Sequence, residues 1–187
     1  MRLRIGVDLD GVLYRWDDTA RHMLRERFGL ELSESQAWDY IKDNVPEDAW
    51  RWLWTKGVHE GLFRHGSLYK GAADAMRRLC KEHDVVVITK RPRSAVRDTL
   101  AWLAYQRWEP REVHIVEGSK TEVRRCDVYV DDSWDNCNEL ATKFRDSAVL
   151  LWNRPWNTKR MYPYRVHTWD EVFAAIEQQT SKAKVLA

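Results

Sequence analysis

Asp8-Leu9-Asp10-Gly11-Val12-Leu13 follows directly on the apolar run Leu3 to Val7, and its reading decides the fold of this 187-residue chain. Arg2 and Arg4 alternate with Leu3 and Ile5, and the run closes on Val7, the pattern of a first strand that ends at two carboxylates. In an open α/β sheet, ligands bind beyond the carboxyl ends of the strands. Two acids two residues apart therefore arrive there together, and Gly11 lets the chain turn away sharply. Such a pair suits a hard cation, a covalent nucleophile, or a general acid beside a metal ligand. Two solvated loop acids would have the same letters, so the later strand ends must decide.

Working outward, Asp17 to Phe28 reads as a helix with acids in its first turn and Gly29 as its stop. Ser33-Glu34-Ser35-Gln36 is a capping-box pattern opening a short helix through Lys42, and Pro46-Glu47-Asp48 starts another that runs to Gly57. No strand pattern lies between Val12 and Gly71. Beyond Gly71 the texture changes. Ala72 to Glu82 is helical, and Asp84 to Thr89 is a short, continuously apolar strand of the buried parallel type. A helix from Ser94 to Arg107, strands at Val113–Val116 and Val128–Val130, a helix from Trp134 to Phe144, a strand at Ala148–Trp152 and a helix from Trp169 to Gln178 follow, with fraying expected after Thr180. The alternation predicts an α/β fold, a doubly wound, Rossmann-like parallel sheet built from right-handed crossovers. The helical stretch 14–70 has no place in that sheet. It reads as a small helical cap inserted after the first strand, leaving 1–13 and 71–187 as the core domain.

Composition narrows the class. A hydrophobic fraction of 44% can fill a core. The mean hydropathy of −0.64 and the lack of an apolar stretch near the ~20 residues of a spanning helix argue against a membrane protein. The first strand begins almost at once, leaving no room for a signal peptide. Cys80, Cys126 and Cys137 are odd in number and lack CxxC spacing, as expected of buried thiols in a reducing, cytoplasmic setting. A net charge of +2 and a pI near 8.4 are too mild to mark a nucleic-acid binder. The eleven tryptophans are too many to be explained by the core alone.

The strand ends then converge. Asp8 and Asp10 close the first strand, Thr89-Lys90-Arg91 the second, Ser119-Lys120-Thr121 follows the third, and Asp131-Asp132-Ser133 the fourth. Each has a dull explanation alone: a helix cap, a surface lysine, turn acids. Adjacent carboxylates after a buried strand, however, repel unless a cation joins them.

This order, DxDGV, then apolar strand plus Thr, then Lys, then apolar strand plus DD, resembles the haloacid dehalogenase-like (HAD) phosphatases. More narrowly, the chain is similar to the cytosolic and mitochondrial type 5′(3′)-deoxyribonucleotidases and their bacterial and phage relatives, from the first strand to about Ala175. Gly71-Ala72, Leu150-Leu151-Trp152-Asn153-Arg154-Pro155-Trp156-Asn157 and Val166-His167-Thr168-Trp169-Asp170 also look like this branch.

The resemblance implies roles. Asp8 is expected to be the nucleophile that forms an aspartyl-phosphate, and Asp10 the general acid that protonates the leaving alkoxide and then activates water. Thr89 is expected to bind a phosphoryl oxygen, and Lys120 to balance charge. Mg²⁺ is the implied cofactor, between Asp8, the Asp10 backbone carbonyl and the Asp131/Asp132 pair, with Asp132 the favoured direct ligand. Trp16 corresponds to an aromatic position beside the base, and Trp38 and Trp54 are further stacking candidates, though for each taken singly packing is the leading reading. Trp50 and Trp54 share a helical face while Trp52 points elsewhere. Lys90 stands where the family often has a small residue. It either contacts phosphate or reaches solvent.

The implied activity is hydrolysis of (deoxy)nucleoside monophosphates, with a small phosphate monoester as partner and neither membrane nor nucleic acid expected. A homodimer, with Trp152 and Trp156 at an interface, is compatible with the sequence. Two other readings stand beside it: a 3′-end nucleic-acid or other small-metabolite phosphatase, and a catalytically silent nucleotide- or partner-binding protein.

Overall fold

The computed structural model describes residues 1–33 and 44–185. β1 (Arg4–Val7) runs into α1 (Trp16–Phe28). α2 (Glu47–Trp52) continues as a π-helical turn over Leu53–Gly57. After α3 (Ala72–Glu82) come β2 (Asp84–Lys90), α4 (Val96–Gln106), β3 (Glu112–Val116) and β4 (Val128–Asp131). α5 (Trp134–Lys143), β5 (Ala148–Trp152), β6 (Arg165–Val166) and α6 (Trp169–Val185) complete the chain. All ladders are parallel, in the order β3-β2-β1-β4-β5-β6. β1 is central and the strand order reverses beside it. The crevice between the ends of β1 and β4 is therefore where this architecture offers a ligand site.

Side chains alternate between two apolar layers, as strand geometry requires. Ile5, Val7, Val85, Val87, Val128, Val130, Leu150 and Trp152 belong to the larger layer, shared with α1, α3 and α6. Val86, Ile88, Tyr129, Val149 and Leu151 face the other, under Cys137 and Leu140 of α5. Gly6 is the one small residue of β1 because a Cβ there would come within 2.8 Å of the Tyr129 ring. Burial of each Val, Leu or Ile contributes roughly 1.5–3 kcal/mol.

The described part of 14–70 adds to the same apolar layer. Tyr14, Trp16, Ala20, Leu24, Ala49, Leu53, Leu62 and Phe63 are buried in one cluster with the sheet. Gly29 ends α1 in the left-handed conformation (φ 68°), its N–H closing on Arg25 O. Trp50 and Trp54 meet edge to face at 5.4 Å, while Trp52 turns to Phe28, as the helical spacing predicts.

Two elements depart from the sequence reading. α6 does not stop at Gln178 or fray after Thr180. It continues to Val185, with the Thr180 and Ser181 hydroxyls bonded back to Ile176 and Glu177 carbonyls and Gln179 donating to Asp146 O. β6 was not foreseen because two residues carry no periodicity; it exists because Leu151 N and Asn153 N donate to Tyr164 O and Val166 O. The helix expected over Ser33–Lys42 falls largely outside the described residues. All three cysteines are free, Cys126 and Cys137 buried and Cys80 half-buried.

Candidate active site

Asp8 is aimed by the ladder and by the turn that follows. Its N–H donates to Val130 O of β4 at 3.0 Å, continuing the sheet one residue past β1. The Leu9 carbonyl then accepts from Val12, Leu13 and Tyr14, winding the chain tightly around Gly11. Gly11 has φ 74°, and a Cβ on it would lie 2.1 Å from Asp132 Oδ2. No side chain fits between the turn and Asp132.

The ends of β1 and β4 and the turn after β3 meet here, as the sequence predicts, while Thr89 at the end of β2 lies beside Asp10. Lys120 Nζ lies 2.8 Å from Asp8 Oδ1 and 2.6 Å from Asp131 Oδ2. A capping box places that lysine: Ser119 Oγ accepts from Thr121 N, and the Glu122 carboxylate accepts from Ser119 N, fixing the 3₁₀ turn Lys120–Glu122. Asp131 also accepts from Ser133 N and Asn136 Nδ2, where Ser133 caps α5. Asp132 accepts from the Trp156 indole at 2.7 Å. Asn157 ties the Asp132 and Trp152 carbonyls together at 2.8 Å each, bracing the segment after β5 under the site.

Asp8, Asp131 and Asp132 are all buried and present carboxylate oxygens within 4.8 Å of one another. Burial, helped by the Asp131 and Asp10 charges, pushes the Asp8 carboxyl up to about 7 against the pull of Lys120. Burial and the Asp8 and Asp131 charges hold Asp132 well above the usual carboxylate range. Burial works against the charge of Lys120, but Asp131 and Asp8 outweigh it and hold the amine above its ordinary value. Three carboxylates against one ammonium leave an excess of negative charge on hard oxygen donors. That is a fit for a divalent cation such as Mg²⁺.

Asp10 faces elsewhere. Arg91 grips it with two bonds, Nε to Oδ2 at 2.7 Å and Nη2 to Oδ1 at 2.6 Å, and the Thr89 hydroxyl lies 3.5 Å from Oδ2. Its side chain is outside the Asp8–Asp131–Asp132 cluster. Lys90 is exposed and takes no part in that cluster.

The expected stacking residues lie differently. Trp16 is 1% exposed, its ring stacked on Trp54 at 5.8 Å with 24° between the planes. Trp54 in turn touches Phe63 and Trp50. In this conformation Trp16 presents no open face to a base. Trp38 lies outside the described residues. Trp152 is buried against Trp169, and the half-buried Trp156 donates to Asp132.

The sequence reading gives no role in the site to four residues that matter here: Arg91, Asn136, Trp156 and Arg154. Arg154 donates from Nε to Gly11 O and lies 3.6 Å over the Tyr69 ring. Arg91 carries a signal, a cation two residues past the strand-end Thr, and Arg154 and Trp156 lie in the Leu150–Asn157 segment that resembles the family. The bonds that Asn136, Trp156 and Arg154 make depend on loop geometry that spacing does not encode.

This parallel sheet is the fold shared with solved haloacid dehalogenase-like hydrolases. A hydrolase of that family from Streptococcus pneumoniae superposes with a TM-score of 0.62 at 12% identity, covering 94% of this chain and 98% of that one. A HAD-type hydrolase of Bacillus subtilis, solved bound to magnesium, does so with 0.56 at 12% identity, over 95% of this chain and 100% of that one. Within this class, the chain belongs to the family of 5′ nucleotidase, deoxy (pyrimidine), cytosolic type C proteins, whose family model matches residues 2–185. It is 26% identical over 164 residues to a Bacillus subtilis (strain 168) protein named "Putative nucleotidase YqfW", covering 83% of this chain and 82% of that relative. The chain is thus a hydrolase of a nucleotidase family. Among the described residues no helix is long and apolar enough to cross a membrane.

Proposed function

We propose that this protein is a Mg²⁺-dependent phosphomonoesterase that converts (deoxy)nucleoside monophosphates to nucleoside and phosphate. One observation carries the reading: Asp8 is held by Lys120 within a buried carboxylate cluster, with a second acid, Asp10, two residues away and separately fixed. Asp8, Asp131 and Asp132 would hold the metal. Asp131 already accepts from Lys120, Ser133 and Asn136, which supports Asp132 as the more available ligand. When bound, Mg²⁺ would offset phosphate charge and reinforce the pull of Lys120 on Asp8.

Asp8 Oδ attacks phosphorus, a P–O bond forms, and the bond to the ester oxygen breaks. Asp10 gives its proton to the departing alkoxide, then takes one from the water that hydrolyses the aspartyl-phosphate, worth roughly 10²–10⁴ in rate. Thr89 donates to a phosphoryl oxygen, and Lys120 balances the charge that gathers around Asp8. Membership of a nucleotidase family supports a nucleotide as the ester. The 14–70 segment as a cap over this floor is part of the same proposal.

The test is phosphate release from a panel of ribo- and deoxynucleoside monophosphates, with Mg²⁺ and with EDTA, beside Asp8→Asn. Metal-dependent release that Asp8→Asn reduces by about 10⁴ or more supports the reading. Release from an aryl phosphate but from no nucleotide would discard the substrate and keep the chemistry.

A further inference from the structure

Arg91 is 2% exposed, among the most deeply buried large side chains of the protein. Its backbone N–H donates to Val116 O, which fixes the end of β2 against β3. From there the guanidinium makes its two bonds to Asp10 and a third from Nη1 to Thr99 Oγ1 at 3.0 Å. The Thr99 hydroxyl donates to Ala95 O, so its oxygen is oriented to accept from Arg91. The guanidinium also packs against two rings, Tyr14 at 4.8 Å and Phe63 at 4.6 Å. Tyr14 is pinned in turn: its hydroxyl donates to Leu62 O and accepts from Gly66 N, both at 2.7 Å.

Burying a guanidinium costs several kcal/mol, and a site keeps one only where its bonds are well made. A fork that is planar, bidentate and packed on aromatic rings is a task for arginine that lysine does not match. Because Arg91 is closed off from solvent, it is poorly placed to meet an incoming phosphate. What it does hold is the carboxylate plane of Asp10. We propose that Arg91 is the positioning residue that sets Asp10 for proton transfer to the leaving group. The rings of Tyr14 and Phe63 tie that setting to the segment after β1. The proposal rests on the reading of Asp10 as the acid–base residue given above.

The experiment uses the full chain with Mg²⁺ and a series of substituted phenyl phosphates that differ in leaving-group acidity. The readout is kcat/KM, which reports steps up to the first release of product. Leaving groups that depart unaided need no proton, so loss of a well-set acid shows as a slope along the series. Wild type should be nearly flat. Asp10→Asn should be steep. Arg91→Met should lose about 10- to 100-fold more on the poorest leaving group than on the best, with Arg91→Lys between.

An equal loss along the whole series in Arg91→Met would overturn the proposal and make Arg91 a support of the fold or of phosphate binding. An unchanged Arg91→Met would also overturn it. A flat Asp10→Asn, or a wild type inert on every ester, would instead defeat the underlying reading of the site. If Arg91→Met does not fold, Phe63→Leu, which leaves both partners of the ion pair in place, should give the same slope at a smaller size. Its absence would count against the proposal.

Discussion

The floor at the strand ends and the aromatic segment after β1 handle their unusual residues in opposite ways. On the floor, charges are buried and held open to chemistry: Asp8, Lys120, Asp131 and Asp132 sit in one cluster, and the strain of like charges is left in place. In the segment after β1, large rings are buried or half-buried against one another. Trp16 stacks on Trp54, Trp54 touches Phe63, and Phe63 lies against Arg91. The difference teaches where function is stored. Unrelieved polar strain marks the reaction centre, whereas the tryptophans mark a wall that supports it.

The largest expected effect comes from breaking the floor. Lys120→Met leaves Asp8 and Asp131 buried without their shared cation, so it should cost about 3–5 kcal/mol in urea unfolding and end turnover. Retained stability would mean the cluster is far wetter than its burial indicates. Trp16→Ala tests the wall. Removing a buried indole should cost about 3 kcal/mol. If the role is packing, hydrolysis of nucleotides and of a small aryl phosphate should fall together. A loss confined to nucleotides would restore Trp16 as a base-stacking residue and blur the comparison.

The pH dependence of stability reads the strain itself. In the unfolded chain Asp8 ionises near its ordinary value of about 4. In the folded protein it ionises at about 7, chiefly because it is buried. The unfolded state therefore releases this proton first, and the contribution of Asp8 to stability falls as pH rises from about 4 to about 7. The slope is at most about 1.4 kcal/mol per pH unit. In EDTA, urea midpoints of wild type should drop across this window more steeply than those of Asp8→Asn, where the raised Asp132 leaves a residual slope. Parallel curves would contradict the shift. The smallest effect belongs to Lys90→Ser. With the side chain exposed, stability should change by less than about 0.5 kcal/mol, and any functional change should be a modest rise in KM with kcat kept.

The same contrast explains what could be read before any coordinates. Asp8, Thr89, Lys120 and Asp131/Asp132 were legible because strand ends in a parallel sheet fall on one rim, and each follows a short apolar run that marks its strand. The order of elements was legible for the same reason. The surroundings of Trp16 and Trp54 were not, because an aromatic residue near a site has the same letter whether it faces a ligand or a neighbour. Arg91 stood beside Lys90 in plain view, yet the burial that gives it meaning depends on Tyr14, Phe63 and Thr99, brought together from three separate stretches of chain. The two-residue β6 and the Trp156 bond to Asp132 arise from loop geometry with no periodicity to betray it.

The most direct test of the central claim traps the covalent step. Asp10→Asn, mixed with an activated aryl phosphate and Mg²⁺ and quenched in acid, should gain the mass of one phosphoryl group. That leaving group departs without an acid, and the water that clears the adduct lacks its base. Peptide mapping should place the adduct on Asp8. Phosphate turnover that persists in Asp8→Asn, with no phosphorylated protein in Asp10→Asn, would contradict the account.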